Sequence, residues 1–292
     1  MEIELKSQSD DEMVFIIRDA EVPFVNAIRR TAMVNVPKIS IEDVYITKND
    51  SAMFDEVLAH RLGLTPLVSN LEDIEGLLLP EDDGWYDKQG VEFELDEIGP
   101  KVVYSKDLIS SDKNIKPVYD TIPLVKLKDD EELKLMAFAK VGYGKMHVKW
   151  MPTTVCAYKQ YPMITFNKDV DIDYDCASEC PRGVLKSDKR SKKVKVFEDG
   201  QLVENEDGIF MTSDCSMCKS CVRASVERAI LNGAPDARSY INVDYRENDF
   251  IFRIETDGSI NPKDVLLKAC DELSKKADKF ISFSSRGGVN NG

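Results

Sequence analysis

"FVNAIRRTAMVNVPKISIEDVYITKNDSAMFDEVLAHRLGLTPL", residues 24–67, is the stretch on which the fold class turns. Phe24, Val25, Ile28, Ala32 and Val36 recur at helical spacing in its first part. That period predicts a helix opening near Pro23, where proline suits a first turn, and ending before Pro37. The period then changes. ISIEDVYITKN (39–49) alternates apolar with polar residues, which predicts a strand covered on one face.

Working outward, IELKSQ and MVFIIRD predict two short strands joined by a polar turn through Asp10 to Glu12. At the other end, SYINVDY and DFIFRIET predict paired strands with RENDF as their turn. Asn261-Pro262 then opens a helix whose apolar stripe is Leu266, Ala269, Cys270, Leu273, Ala277 and Phe280. Both ends thus read as strand-and-helix layers. Between them, residues from about 70 to 130 are acidic and irregular (LEDIEGLLLPEDDGWYDKQG, then short runs such as VEFEL and KVVYS). The expected fold class is α+β: one discontinuous domain made from both chain ends and interrupted by insertions. The tail SSRGGVNNG is predicted to be disordered.

Composition bounds the function. A chain of 292 residues, 42% hydrophobic, has enough apolar material for two or three domains. A formal charge of -14 argues against direct nucleic-acid contact, which needs a basic face to displace counterions. No apolar run reaches the length of a membrane span, and MEIELKSQSDDE lacks the pattern of a signal peptide, so a cytoplasmic location is expected. Seven cysteines in such a chain suggest metal ligation more than disulfides.

The cysteines are patterned. DCSMCKSCVRAS (214–225) sets Cys215, Cys218 and Cys221 at intervals of three, and DCASECPRG (175–183) contains Cys176 and a Cys180-Pro181 pair. In two-cluster ferredoxins each half reads C-x2-C-x2-C-x3-C-P, and the last cysteine of one half ligates the cluster of the other. Applied here, that rule groups Cys180, Cys215, Cys218 and Cys221 as four thiolates for one 4Fe-4S cluster. The second set falls on Val170, Asp173, Cys176 and Ser225, with a single cysteine. It is expected to be a vestigial, empty site, with Cys176 a spare thiol. A 3Fe-4S cluster or a zinc ion is the alternative occupant of the first set. KKVKVFEDGQLVENEDG (192–208), between the two cysteine segments, predicts a hairpin turning at Asp199-Gly200. Cys156 and Cys270 read as small buried apolar side chains.

Three stretches carry a family resemblance: residues 24–67, GYGKMHVKWMP (142–152) and RIETDGSINPKDVLLKACDEL (253–273). They resemble the archaeal branch of the RNA polymerase alpha-like family, the relatives of the bacterial alpha subunit and of the third-largest subunit of eukaryotic polymerase II. The resemblance implies a dimerisation domain from residues 1–46 and 226–292, which pairs with subunit L. It implies an inserted, mainly β domain (47–165) that docks small subunits N and P and the two large catalytic subunits. Residues 166–225 would form a small ferredoxin-like domain; family members carry one or two 4Fe-4S clusters there, and this chain departs from the two-cluster version at Val170, Asp173 and Ser225. Phe24, Ile28, Arg29, Arg30, His60, Arg61, Leu266, Cys270 and Leu273 become interface candidates.

No catalytic residue is expected in this chain: it is read as holding no Asp-x-Asp-x-Asp-type carboxylate cluster for catalytic magnesium, no phosphate-cradling glycine loop and no nucleophile–base pair. His60 reads as a packed or interface residue, and His147 as part of the second resembling stretch. The cluster reads as a structural staple, with sensing of oxygen or iron as a variant of that role. The rival reading is an electron-transfer protein. The flanking arms and the lack of a flavin or nucleotide motif speak against it.

Overall fold

The computed structural model describes residues 1–75, 77, 90–171, 173–188, 190, 193–203, 208–234 and 238–286. Most of the acidic stretch after residue 75 and the last six residues of the predicted tail lie outside them.

Strands β1 (Glu2–Gln8) and β2 (Glu12–Arg18) form the expected hairpin. The Ser9 N–H donates to the Glu12 carbonyl at 2.7 Å, and the Glu12 N–H donates to Ser9 Oγ at 3.0 Å. Helix α1 (Val22–Val34) buries Val25, Ile28, Thr31 and Ala32, while Phe24 in its first turn is 44% exposed. Strand β3 (Pro37–Asn49) follows. Helix α2 (Asp55–Gly63) covers it with Leu58 and Leu62. A short helix α3 (Leu71–Glu75) precedes β4 (Val91–Ile98), β5 (Lys101–Tyr104), β6 (Ile109–Ser110), β7 (Pro123–Leu127) and β8 (Glu132–Tyr143).

The chain continues through β9 (Thr153–Phe166), β10 (Leu185–Asp188), β11 (Lys193–Glu198), β12 (Gln201–Leu202) and β13 (Ile209–Met211). Helix α4 (Ser220–Leu231), β14 (Ile241–Thr256) and α5 (Pro262–Arg286) complete it. Sheet orders are β1-β2-β14-β9-β13, β3-β8-β4-β6, β10-β11-β12 and β5-β7. The fold is mixed α/β and rich in sheet.

Two compact units emerge. One holds residues 1–4, 15–21 and 158–252, the other residues 5–14, 22–157 and 253–292. In the second, the inward faces of β3, β4 and β8 supply Ile39, Ile41, Phe93, Leu95, Leu133 and Leu135, all at 1% exposure or less. Strict alternation along β4 and β8 places these residues on one face, as the period of a strand requires. In the first, the predicted hairpin is present: Glu198 pairs with Gln201 across Asp199 (φ 50°) and Gly200 (φ 78°), two left-handed residues as a type I′ turn needs.

Three expectations are corrected. INVDYRENDFIFRIET is one continuous strand, β14 (Ile241–Thr256), and not a hairpin. RENDF lies inside β14, where residues 244–248 are all exposed, so its polarity marks a strand segment open to solvent and not a reversal. Cys270 is exposed on α5 and not buried. The tail, expected to be disordered from Ser284, continues α5 through Arg286.

Candidate functional site

Four thiols meet around one pocket. Cys180 follows a 3-10 turn (Tyr174–Glu179), Cys215 and Cys218 lie in the loop after β13, and Cys221 sits in the first turn of α4. All four line a single pocket with Ile164, Arg182, Val184, Leu185 and Lys219. The loop is wound tightly: Met217 (φ 54°) and Lys219 (φ 58°) are both left-handed without being glycine. The Met217 N–H thereby donates to Cys215 Sγ at 3.4 Å.

Burial pushes the Cys221 thiol up to about 11 and raises that of Cys215. Hydrogen bonding from Ser220 holds the exposed Cys218 below its ordinary value. A bound metal would displace the protons of Cys215 and Cys221, since thiolate is the ligating form. Among the described residues, no group of three or more His, Cys, Asp or Glu side chains is arranged to hold a single metal ion. The donor set, four thiols with Arg182 and Lys219 beside them, has the chemistry of an anionic four-thiolate iron–sulfur centre.

The second set is built differently. Cys176 is fully buried, donates from Sγ to the Asp173 carbonyl at 2.7 Å, and is pushed up to about 12 by burial. Ser225 Oγ accepts from the Tyr240 N–H at 2.9 Å. Asp173 accepts from the Cys176 N–H at 3.3 Å and pairs with Arg228 at 3.4 Å. Val170, Asp173 and Ser225 line a pocket that Cys176 does not reach. The expectation of no Asp-x-Asp-x-Asp run is corrected here: Asp169, Asp171, Asp173 and Asp175 alternate along one stretch and all line that pocket.

Elsewhere, apolar side chains stand in solvent. Every residue of β1 is exposed, including Ile3 at 59% and Leu5 at 54%. On α5 the stripe splits: Val265 and Ala269 are buried, Leu266 and Leu273 are half-buried, and Leu267, Phe280, Ile281 and Phe283 are exposed. Of the other interface candidates, Ile28 points into its own unit at 5% exposure, and Phe24 and Arg30 are exposed. Arg29 is tied to Asn26 Oδ1 at 3.1 Å and Met33 Sδ at 3.3 Å. Arg61 donates to the Pro123 carbonyl at 2.6 Å. No helix among the described residues is long and apolar enough to cross a membrane.

Residues 14–277 match the model of the RNA polymerase Rpb3/Rpb11 dimerisation domain. The chain is 69% identical to DNA-directed RNA polymerase subunit Rpo3 of Methanobrevibacter smithii over 287 residues, which is 98% of this chain and 99% of the relative. It is 49% identical to the Rpo3 subunit of Methanothermobacter thermautotrophicus (98% and 100% covered) and 31% identical to that of Pyrococcus furiosus (97% and 96%). The chain belongs to the archaeal Rpo3 family. It is a non-catalytic subunit of DNA-directed RNA polymerase, and its Rpb3/Rpb11 dimerisation domain indicates a heterodimer with an Rpb11-like partner.

Within this Rpo3-family chain, GYGKMHVKW is a clasp. A Cβ on Gly142 would stand 2.5 Å from the Trp150 ring, and one on Gly144 2.2 Å from the Met33 carbonyl oxygen. Only glycine permits either approach. Trp150 Nε1 donates to the Lys140 carbonyl at 3.0 Å, and Lys149 Nζ lies 4.4 Å from the indole centroid, donates to the Ile41 carbonyl at 2.9 Å and pairs with Glu42. His147 Nδ1 accepts from the Lys149 N–H at 3.1 Å, a structural cap. His60, by contrast, is exposed on α2 and does not pack.

Proposed function

We propose that this chain is the assembly platform of its polymerase, and that a metal centre ties its cysteine region together. Residues 1–46 and 226–292 act as the dimerisation domain toward subunit L. Residues 47–165 act as the insert that docks subunits N and P and the large catalytic subunits, and residues 166–225 as a ferredoxin-like domain. The protein works in the cytoplasm and makes no direct contact with nucleic acid.

The observation that carries the platform reading is the unpartnered apolar surface of β1 and of the C-terminal half of α5. Family membership supplies its occupant. A helix face bearing Phe280, Ile281 and Phe283 at 62–76% exposure is a poor end state for a lone chain and an ordinary one for half of an obligate interface. The test is co-expression with subunit L. A soluble heterodimer is expected from the native pair, and the double substitution Phe280→Glu with Phe283→Glu should abolish it. A double variant that still binds subunit L with native affinity would defeat the reading.

Cys180, Cys215, Cys218 and Cys221 would hold one 4Fe-4S cluster, supported by their convergence on one pocket. When bound, such a group supplies four covalent crosslinks and a redox couple. The chain's own residues exclude water with Ile164, Val184 and Leu185, and hold the thiols with backbone donors. Iron and sulfide near four of each per chain after anaerobic preparation are expected, on the order a single cubane requires; zinc in their place would overturn the assignment.

A further inference from the structure

Lys159 is half-buried on β9 and points toward the cysteine loop that follows β13. Strands β9 and β13 pair antiparallel as Ile209↔Thr165, Phe210↔Ile164 and Met211↔Met163. Continued unbroken, this register would bring Cys215 opposite Lys159. The ladder stops first. Its next partner on β9 is Pro162, which accepts from the Thr212 N–H at 3.4 Å but has no N–H to return.

The backbone beyond Thr212 therefore loses its strand donors just where it turns into the cysteine loop. Lys159 replaces them: its Nζ donates to the Ser213 carbonyl at 2.7 Å and to the Cys215 carbonyl at 2.8 Å. Further bonds brace the same corner, three of them through backbone N–H groups. Asp214 Oδ2 accepts from the Asp199 N–H at 2.7 Å, the Asp214 N–H donates to Thr212 Oγ1 at 3.3 Å, and the Ser213 N–H donates to Glu198 Oε1 at 3.2 Å. Those three fix the corner to the hairpin and to itself, whereas Lys159 fixes it to β9. A neutral amide could serve the same carbonyls; an ammonium serves them and also brings a positive charge toward the thiol set.

We propose that Lys159 is a positioning residue for the cysteine loop: its ammonium ties the backbone on both sides of Asp214 to β9, which sets Cys215 Sγ at the pocket, and its charge offsets the negative charge of the four-thiolate centre. Burial lowers the pKa of this ammonium, while the nearby Cys215 and Asp214 act against that shift. The tether stands on geometry alone; the charge role rests on the iron–sulfur reading.

Three variants separate the two roles. Lys159→Met removes donors and charge, Lys159→Gln keeps a donor only, and Lys159→Arg keeps both. All are made in the full chain and purified with subunit L. Hydrogen exchange of the amides from 213 to 221, measured after chelator treatment, reads the tether without iron. About tenfold faster exchange is expected for Lys159→Met and near-native exchange for Lys159→Arg; native exchange in Lys159→Met overturns the tether. In anaerobically prepared protein, Lys159→Met should give up iron to a chelator about 10–100-fold more readily, the range typical of lost outer-shell partners. The EPR-monitored reduction potential should fall in both Lys159→Met and Lys159→Gln and recover in Lys159→Arg. Equal potentials in all four proteins overturn the charge role. An iron-free native protein would instead sink the iron–sulfur reading, and the exchange measurement would still decide the tether.

Discussion

Between β3 and β8 the chain buries Leu58, Leu62, Leu67, Phe93, Leu133 and Leu135 at 1% exposure or less. Around the cysteines it buries Ile164, Ala177, Val184, Val194 and Val196 together with two thiols, Cys176 and Cys221, and its strands are two to six residues long apart from β9 and β14. Stability tracks the apolar area removed from water, at about 25 cal/mol per Å², so the first region can stand on packing. The second is a smaller cluster, completed by Leu185, Tyr240, Ile241 and Val243, and most of its ladders are short. A region like that needs crosslinks, and it is also where four thiols converge. One region rests on a continuous core; for the other, point attachments through a metal centre are the means we propose.

The sharpest attempt to break this comparison removes the attachments. Replacing Cys215, Cys218 and Cys221 by serine should abolish iron binding and leave residues 166–225 open to protease, while pairing with subunit L survives. Limited proteolysis and co-purification check both halves; loss of pairing would show that the two regions are not independent. Next comes a core test. Phe93→Ala should cost about 3–5 kcal/mol, the usual range for emptying a buried phenylalanine site. Denaturant unfolding measures it, and iron content should not change.

A smaller effect probes the clasp. Gly142→Ala forces a methyl against the Trp150 ring and should cost about 1–3 kcal/mol as an overpacked site. Made in a Trp85→Phe background, a parallel fall in indole fluorescence change on unfolding would locate the damage at Trp150. The smallest effect lies in the hairpin. At Gly200 a Cβ meets nothing within 4 Å, so Gly200→Ala is opposed only by its φ of 78°, about 1 kcal/mol. A cost of several kcal/mol there would mean that the cysteine region depends on this hairpin more than on its thiols.

Much of this is legible in the residues. The β1–β2 hairpin, α1, β3, the Asp199-Gly200 turn and the start of α5 at Asn261-Pro262 follow local rules: turn chemistry, helical spacing and capping act within a few residues. At α5 the Asn261 side chain accepts from the Lys263 N–H at 3.0 Å, as a cap should. The residues of β14 mislead because polarity in RENDF marks lack of cover as readily as a turn, and a strand's length depends on its neighbours. Cys270 misleads for a similar cause: a helical stripe names a face, and whether anything in the same chain covers that face is a tertiary matter. Cysteine spacing proposes the grouping of Cys180 with the triplet, and the folded chain lines one pocket with all four. Lys159 is not legible in the residues. Its partners are two backbone carbonyls more than fifty residues away, and backbone carbonyls leave no mark in a sequence. Residue order alone therefore settles which local elements form, because those depend on near neighbours. Only the folded chain decides which apolar faces stay uncovered and which lysine holds the cysteine loop, because both depend on what folding brings alongside.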